Sequence, residues 1–314
     1  MKTQRASTSK RGFTLMELMV AMAITTIIVT VLVSITSIAI DTWNRSRAEL
    51  RASRQAKAMI DTMARDFEVL VTRSGNKNEW LSAEADPPGD SSNASRLVFF
   101  TAATDRYNGG VGGTNDKGGD VSCVGYQLAY RDPISGAGST NQTFVLNRYL
   151  VNPDATFEYL LGKTDKTTTL ASVFKKYESE LDKVENFVCE NIYQFTITFQ
   201  IEVSKNVGSA AQPKYQKFIV PIGMSESTAG QRVKGFRLLG TGIEASVGAA
   251  NIGGVSITAD EIKAGRLAAV EISATVLSDS GIDTFRKNPT AASKPEFLAK
   301  NSYQYTKLVQ LPGM

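Results

Sequence analysis

The 314-residue chain contains no histidine. This absence excludes Ser-His-Asp and Cys-His catalysis, the metalloprotease helix motif and every zinc site that needs imidazole. A candidate nucleophile such as Ser122 therefore has no visible base to activate it. We predict that the chain is not an enzyme, and a catalytic domain that works without histidine is the weakest alternative.

The chain also has a small net charge and few cysteines. The chain has 35 Lys and Arg against 31 Asp and Glu, a net charge of +4. A balance this even gives no electrostatic footprint for nucleic acid, so we expect no nucleic-acid partner. The two cysteines, Cys123 and Cys189, form either one disulfide in an oxidising compartment or two buried thiols.

A glycine-rich stretch at 108–120 is the next candidate for chemistry. It contains six glycines but fits neither the dinucleotide fingerprint nor the P-loop, because no Lys-Ser or Lys-Thr follows. Calcium ligands are available on and just before this stretch, but the EF-hand spacing is absent. Those ligands are Asp105, Asn115, Asp116 and Asp120. We expect a solvated loop, no metal site and no cofactor, with calcium as the alternative.

A long uncharged run near the N-terminus predicts that the chain is anchored in a membrane. It extends from Leu18 to Ile40, 23 residues that span about 35 Å as a helix, enough for a hydrocarbon core of roughly 30 Å. A cleaved secretory signal is shorter, and its small-residue site would here fall inside the run. We predict a single membrane-spanning helix. Four basic residues precede it and favour a cytoplasmic N-terminus: Lys2, Arg5, Lys10 and Arg11.

One acid, Glu17, stands directly before this run, where a carboxylate usually has a partner or reaches water. The string Gly12-Phe13-Thr14-Leu15-Met16-Glu17 resembles the class III signal of type IV pilins and type II secretion pseudopilins. The resemblance implies that a prepilin peptidase cuts between Gly12 and Phe13 and methylates the new amine of Phe13. It also implies that Glu17 neutralises the N-terminal ammonium of a neighbouring subunit. The alternative is an interfacial Glu17 that reaches back to water.

The helical pattern continues beyond the membrane. Residues 41–71 contain no Pro or Gly, and five apolar residues recur at steps of three and four. This stripe predicts that the second half of the helix is amphipathic and packs on a globular domain. Its members are Ala56, Met59, Met63, Phe67 and Leu70. Gly75 and the polar stretch at 86–95 then mark the end of the helix and a loop.

The rest of the chain has mainly strand patterns, with one added helix at 171–187. Strands that follow a helix rather than alternate with helices predict an α+β fold with a mainly antiparallel sheet, as in pilins. The predicted strands begin at about 96, 121, 143, 191, 215, 235 and 266. The predicted divisions are a leader over 1–12, the long helix over 13–73 with its membrane segment at 18–40, a linker loop over 74–95 and a periplasmic β-rich domain over 96–314.

Short motifs in this domain resemble the J-type minor pseudopilins. These motifs are Arg65-Asp66 on the helix, Tyr126 and Leu128 on one strand, Leu146 and Arg148 on the next, and Ala269 to Glu271 on a late strand. The glycine-rich insertion and the tail from Ser280 onward depart from the family pattern. A pilin-like protein of another, uncharacterised type shares the same outline and remains an alternative.

The resemblance implies a structural role at the bacterial inner membrane. The expected function is that of a minor pseudopilin that primes or caps a filament, with a single membrane pass and a periplasmic domain that can reach the filament tip. The expected partners are the prepilin peptidase, other minor and major pseudopilins in a hetero-oligomer, and inner-membrane lipid. The alternative function is a membrane-anchored adhesive or ligand-binding protein that uses the long loops of its β domain, near 104–120, 203–214 and 241–254.

Overall fold

The computed structural model describes residues 12–88, 91, 93–103, 119–135, 141–164, 167–209, 212–290 and 294–311. The chain divides into two compact units, one that ends at Leu50 and one that begins at Arg51. Helix α1, Leu15–Glu68, begins in the first unit and ends in the second. The sequence has no Gly or Pro between Gly12 and Gly75, so nothing in it interrupts the helix.

The second unit contains the strands and the short helices. Within the described residues, its strands are β1 (Glu79–Ala85), β2 (Ser95–Thr101), β3 (Ser122–Arg131), β4 (Thr143–Val151), β5 (Phe187–Glu190), β6 (Ile192–Asn206), β7 (Tyr215–Met224), β8 (Arg232–Val233), β9 (Gly235–Leu239), β10 (Gly242–Ala245), β11 (Ala250–Ile252), β12 (Val255–Ile257), β13 (Arg266–Leu277) and β14 (Ser302–Gln310). Its short α-helices there are α2 (Pro153–Ala155), α3 (Leu170–Phe174), α4 (Glu178–Leu181), α5 (Ala259–Lys263), α6 (Asp279–Lys287) and α7 (Pro295–Asn301).

The strands form two main sheets. A seven-stranded sheet has the order β10-β9-β1-β2-β3-β4-β5, and a five-stranded sheet has the order β14-β13-β6-β7-β8. Their pairings are antiparallel except for the short parallel contact of β7 with β8. The small hairpin of β11 and β12 turns on Gly253 and Gly254, both at positive φ, as a two-residue turn of this kind requires. The prediction of an α+β fold with a mainly antiparallel sheet is confirmed.

Two apolar clusters lie on opposite faces of the seven-stranded sheet. The larger one joins the end of α1 to the inner faces of both sheets, with Phe67 stacked on Phe99 at a centroid distance of 4.4 Å. The smaller one packs the short helical segments between residues 153 and 181 on the other face. Its strand residues include Trp80, Val98 and Phe100, and its helical residues include Leu170 and Phe174. Alternate residues of each strand thus supply different clusters.

The seven predicted strands all form, but two predicted boundaries need correction. The predicted linker loop over 74–95 contains β1, which is the strand between β9 and β2. The sequence of β1 has no β-branched residue, so burial on both faces, rather than propensity, makes it a strand. Helix α1 ends at Glu68 rather than at residue 73, because Val69 and Val71 exchange backbone hydrogen bonds with the end of β2.

The added helix and two of the long loops also differ from the prediction. Residues 171–187 form several short helical turns instead of one helix, including α3 and α4. The described part of the stretch 203–214 contains the end of β6 and a bridge between Ser209 and Gln212. The stretch 241–254 contains β10 and β11. The third long loop, near 104–120, lies outside the described residues up to 118.

Candidate functional site: the N-terminal segment and the end of the long helix

The bond between Gly12 and Phe13 lies in a non-helical segment that precedes α1. Gly12 and Phe13 are both exposed, and the Phe13 side chain is 89% exposed. A Cβ at Gly12 would have no neighbouring atom within 4 Å. Packing against the described residues therefore does not require glycine at residue 12. Residues 1–11 of the predicted leader lie outside the described part.

Glu17 has a hydrogen-bonding partner in its own helix. Its Oε2 accepts hydrogen bonds from the backbone N–H and the hydroxyl of Thr14, both at 2.9 Å. In return, the Thr14 hydroxyl oxygen accepts from the backbone N–H of Glu17 at 3.2 Å. This is a capping box, with Thr14 as the N-cap of α1 and Glu17 as the third helical residue. The spacing Thr-x-x-Glu is the sequence signal that predicts this capping role.

The helix that follows Glu17 is exposed throughout its apolar part. An 18-residue window of α1 has a mean hydropathy of 2.6, and none of that window is buried. By its length and composition, the helix can cross a membrane. Its hydroxyl groups do not oppose that placement, because they donate to carbonyl oxygens one turn earlier. Examples are Thr26 to Met22, Thr30 to Thr26 and Ser34 to Thr30. The carboxylate of Glu17 thus lies at the beginning of a helix suited to lipid.

The end of α1 carries a second polar site, which is buried. Asp66 is 3% exposed and accepts two hydrogen bonds from Arg148 of β4, from Nε at 2.7 Å and from a terminal nitrogen at 2.8 Å. The hydroxyl of Tyr126 on β3 donates to the same carboxylate at 2.5 Å. Burial, followed by the nearby Asp66 charge, raises the pKa of Tyr126 well above its usual value. We call Asp66, Tyr126 and Arg148 the buried triad.

The buried triad unites three residues that the sequence analysis placed in separate motifs. Asp66 comes from the helix, Tyr126 and Arg148 from neighbouring strands, and the two strand residues are directly paired in the ladder. A bidentate Arg-carboxylate pair with a further donor satisfies charges that would be costly if left alone. An open cavity of about 520 Å³ lies beside Asp66 and Arg148. Asp66 and Arg148 bind each other, so their charges are not available for other chemistry in this cavity.

The five residues of the predicted packing stripe are all buried. Ala56, Met59, Met63 and Phe67 are fully buried on α1, in the larger cluster. Leu70 is also buried but is no longer helical, because it forms a bridge with Thr101 at the end of β2. Four residues of the stripe therefore lie on α1, and the fifth lies beside the end of β2.

Cys123 and Cys189 are free, buried thiols. They belong to different clusters on opposite faces of the seven-stranded sheet, so a disulfide between them is ruled out by the fold. Burial raises the pKa of both thiols. Of the two alternatives that the sequence left open, the structure therefore has the buried thiols.

The remaining candidates for chemistry show no assembled site. Ser122 is fully buried, and its hydroxyl has no hydrogen-bond partner among the residues that the structure describes. Asp105, Asn115 and Asp116, the proposed calcium ligands, lie outside the described residues, whereas Asp120 is exposed. Among the residues that the structure describes, no group of three or more His, Cys, Asp or Glu side chains could hold a metal ion.

Comparison with known families identifies the N-terminal segment. Residues 7–33 match the prokaryotic N-terminal methylation motif, which is the type IV pilin-like prepilin signal. The match includes Gly12, Phe13, Glu17 and the first half of the apolar run. The motif implies processing by a prepilin peptidase and assembly with other pilin subunits. No curated protein and no solved structure matches the chain.

Proposed function

We propose that this chain is a minor pseudopilin, a structural subunit that a prepilin peptidase processes and that primes or caps a pilin-like filament. The observation that carries the proposal is the methylation motif at 7–33, whose Glu17 opens an exposed apolar helix. The proposed cut lies between Gly12 and Phe13, and the new amine of Phe13 is methylated. The function needs no cofactor and no catalytic group in this chain.

We also propose the finer assignment to the J-type subfamily, which rests on the resemblance of short motifs in the sequence. The short motifs that suggested it contribute all three members of the buried triad, Asp66, Tyr126 and Arg148. We propose a single pass through the bacterial inner membrane, with a cytoplasmic N-terminus and a periplasmic domain that joins other pseudopilins in a hetero-oligomer.

The geometry of Glu17 allows two roles, and both follow from the same carboxylate. It completes the capping box with Thr14, and it carries a negative charge at the beginning of an apolar helix. In the proposed assembly, that charge neutralises the ammonium of Phe13 in a neighbouring subunit. A buried or half-buried charge is stable only with such a partner.

Two substitutions separate these roles. Glu17→Gln keeps a residue that can complete a capping box but removes the charge. Thr14→Ala removes the cap but keeps the charge. If Glu17 acts by charge pairing, Glu17→Gln is processed and inserted normally but co-purifies with other pilin subunits several-fold less, whereas Thr14→Ala assembles normally.

The measurement is quantitative co-purification of the tagged chain with other pilin-like proteins from membranes that contain the prepilin peptidase. Normal recovery of those proteins with Glu17→Gln contradicts charge pairing as the role of Glu17. Impaired recovery with Thr14→Ala alone assigns the role of the Thr14–Glu17 pair to helix capping instead. Failure of the unsubstituted chain to recover any pilin-like protein contradicts the proposed function itself.

A further inference from the structure

An open groove follows one side of α1 in the part of the helix that is suited to lipid. It has a volume of about 430 Å³ and extends from Val29 to Asp41. Between these ends it is lined by Leu32, Val33, Thr36, Ser37 and Ile40. Most of this lining is apolar, and the hydroxyl of Thr36 donates to the carbonyl oxygen of Leu32 at 2.8 Å. The groove therefore suits a hydrocarbon chain rather than a polar ligand.

The length of the groove matches one leaflet of a bilayer. From Val29 to Asp41 the helix rises about 18 Å at 1.5 Å per residue, and half of a hydrocarbon core is about 15 Å thick. The uncharged run ends at Ile40, so the groove lies in the half of the membrane segment that is nearer to the second unit in sequence. An acyl chain of that leaflet can therefore lie along the groove, with its headgroup at the level of the residues after Ile40.

Two side chains beyond the groove suit the headgroup layer. Trp43 and Arg47 follow Ile40 by three and seven residues, so they continue the side of the helix that carries the groove. Trp43 is 63% exposed, and Arg47 is exposed as well. Tryptophan favours the boundary between hydrocarbon and headgroups, about 4.5 Å beyond Ile40 here. The long side chain of Arg47 can bend back toward that boundary, where a guanidinium binds phosphate oxygens in pairs.

The other side of the same helical turns carries acidic groups. Asp41, Arg45 and Glu49 follow one another at steps of four residues, so Arg45 lies between two carboxylates. Arg47, in contrast, has no acidic residue three or four positions away in the sequence. Both arginines are exposed. An anionic phosphate is therefore attracted to the side of Arg47 more strongly than to the side of Arg45.

We propose that this side of α1 binds one anionic phospholipid, with an acyl chain in the groove and the phosphate group on Arg47. The indole of Trp43 lies between the two, at the level where the acyl chain joins the headgroup. An anionic headgroup is favoured over a zwitterionic one, because Arg47 repels the ammonium group of the latter. We call the groove, Trp43 and Arg47 the lipid site. The proposal rests on the membrane pass that is part of the proposed function.

The natural fluorescence of Trp43 reports on the lipids that contact it. The full chain is reconstituted into vesicles of phosphatidylcholine mixed with phosphatidylglycerol, and one lipid at a time is replaced by its dibrominated form, which quenches indole on contact. The chain has one other tryptophan, Trp80, which is 4% exposed. The variant Trp43→Phe measures the emission of Trp80, which is then subtracted. Comparison of the two quenching curves gives the relative binding constant of the two lipids beside Trp43.

The natural chain should bind phosphatidylglycerol several-fold more tightly than phosphatidylcholine beside Trp43, and added salt should reduce this preference. Arg47→Gln should abolish the preference. Arg45→Gln is the matched control, because it removes the same charge two residues away on the other side of the helix, and it should keep the preference. Circular dichroism of each variant verifies the fold.

Native mass spectrometry of the detergent-solubilised chain tests the groove itself. The natural chain, purified with added phosphatidylglycerol, should retain one molecule of this lipid. Thr36→Phe fills the groove while Arg47 stays in place, so it should reduce the retained lipid several-fold. Retention that is equal in the natural chain and in Thr36→Phe would overturn the placement of the acyl chain.

Equal quenching by the two lipids would overturn the proposal, and so would an equal loss of preference with Arg47→Gln and Arg45→Gln. If neither lipid quenches Trp43 in an inserted chain, a protein covers this side of the helix, and the lipid is rejected. A chain that inserts into no vesicle contradicts the membrane pass of the proposed function. A chain that inserts but shows no lipid preference overturns this inference alone.

Discussion

At the scale of single residues, the most informative group is the buried triad. Asp66, Tyr126 and Arg148 are separated by 60 and 22 positions in sequence, yet they form one hydrogen-bonded unit. The unit attaches the end of α1 to β3 and β4. The sequence identified all three residues as motif positions, but not their contact, because periodicity and spacing describe each element alone. The pairing of distant elements depends on the fold.

The triad predicts a large and specific loss of stability when one charge is removed. Arg148→Met leaves the Asp66 carboxylate buried without its cation, which should lower the free energy of unfolding by about 3–5 kcal/mol. The double variant Asp66→Leu with Arg148→Met should be more stable than Arg148→Met alone, because no unpaired charge remains. Urea unfolding of the detergent-solubilised chain measures both.

An exposed ion pair offers the matched control. Arg51 and Asp279 form a salt bridge with side chains that are 57% and 56% exposed. Arg51→Met should therefore cost less than about 1 kcal/mol. Equal effects of Arg148→Met and Arg51→Met would contradict the importance assigned to burial of the triad.

At the scale of elements, sequence patterns predicted seven strands, including the two longest, β6 and β13, but missed β1 and β14. β6 and β13 have long apolar alternation and were predicted close to their true bounds. β1 was missed because its alternation is weak and it includes a buried acid, Glu79, which is paired with Arg237 at 2.8 Å. β14 does alternate, but Lys307 stands among its inward residues and interrupts the apolar series, so the pattern is short. Packing against other elements, rather than local propensity, decides both strands.

One glycine lies where a strand and a helix pack closely, and it gives a prediction at this scale. A Cβ at Gly125 of β3 would lie 2.3 Å from Cζ of Phe174 in α3, and Phe174 is fully buried. Gly125→Ala should therefore destabilise the chain by about 1–3 kcal/mol through overpacking. Adding Phe174→Leu should recover part of the loss because the smaller side chain makes room. Equilibrium unfolding in urea reports both effects.

Gly235 of β9 is the control for this substitution. It is exposed, and an added Cβ would meet no atom within 4 Å. Gly235→Ala should leave stability unchanged or slightly raised. If Gly125→Ala is tolerated as well as Gly235→Ala, the packing of α3 on the seven-stranded sheet is looser than the contacts indicate.

At the scale of the whole molecule, the chain combines an N-terminal signal, a helix suited to lipid and a β-rich unit with its own core. The signal and the lipid-suited helix could be predicted from sequence, because a string of six residues and a run of 23 uncharged residues are local features. The order of strands in the two sheets could not, since strand neighbours are set by long-range packing. The proposed role in a filament depends on the local features and therefore has a direct test.

That test is mass spectrometry of the intact chain and its N-terminal peptide, after expression with and without a prepilin peptidase. Gly12→Leu is the matched control, because it adds bulk beside the scissile bond, and a Cβ at residue 12 would meet none of the described residues within 4 Å. The account predicts a chain that begins at methylated Phe13 only when the peptidase is present, and uncut Gly12→Leu in both samples. An uncut natural chain that begins at Met1 in the presence of an active peptidase would contradict the account.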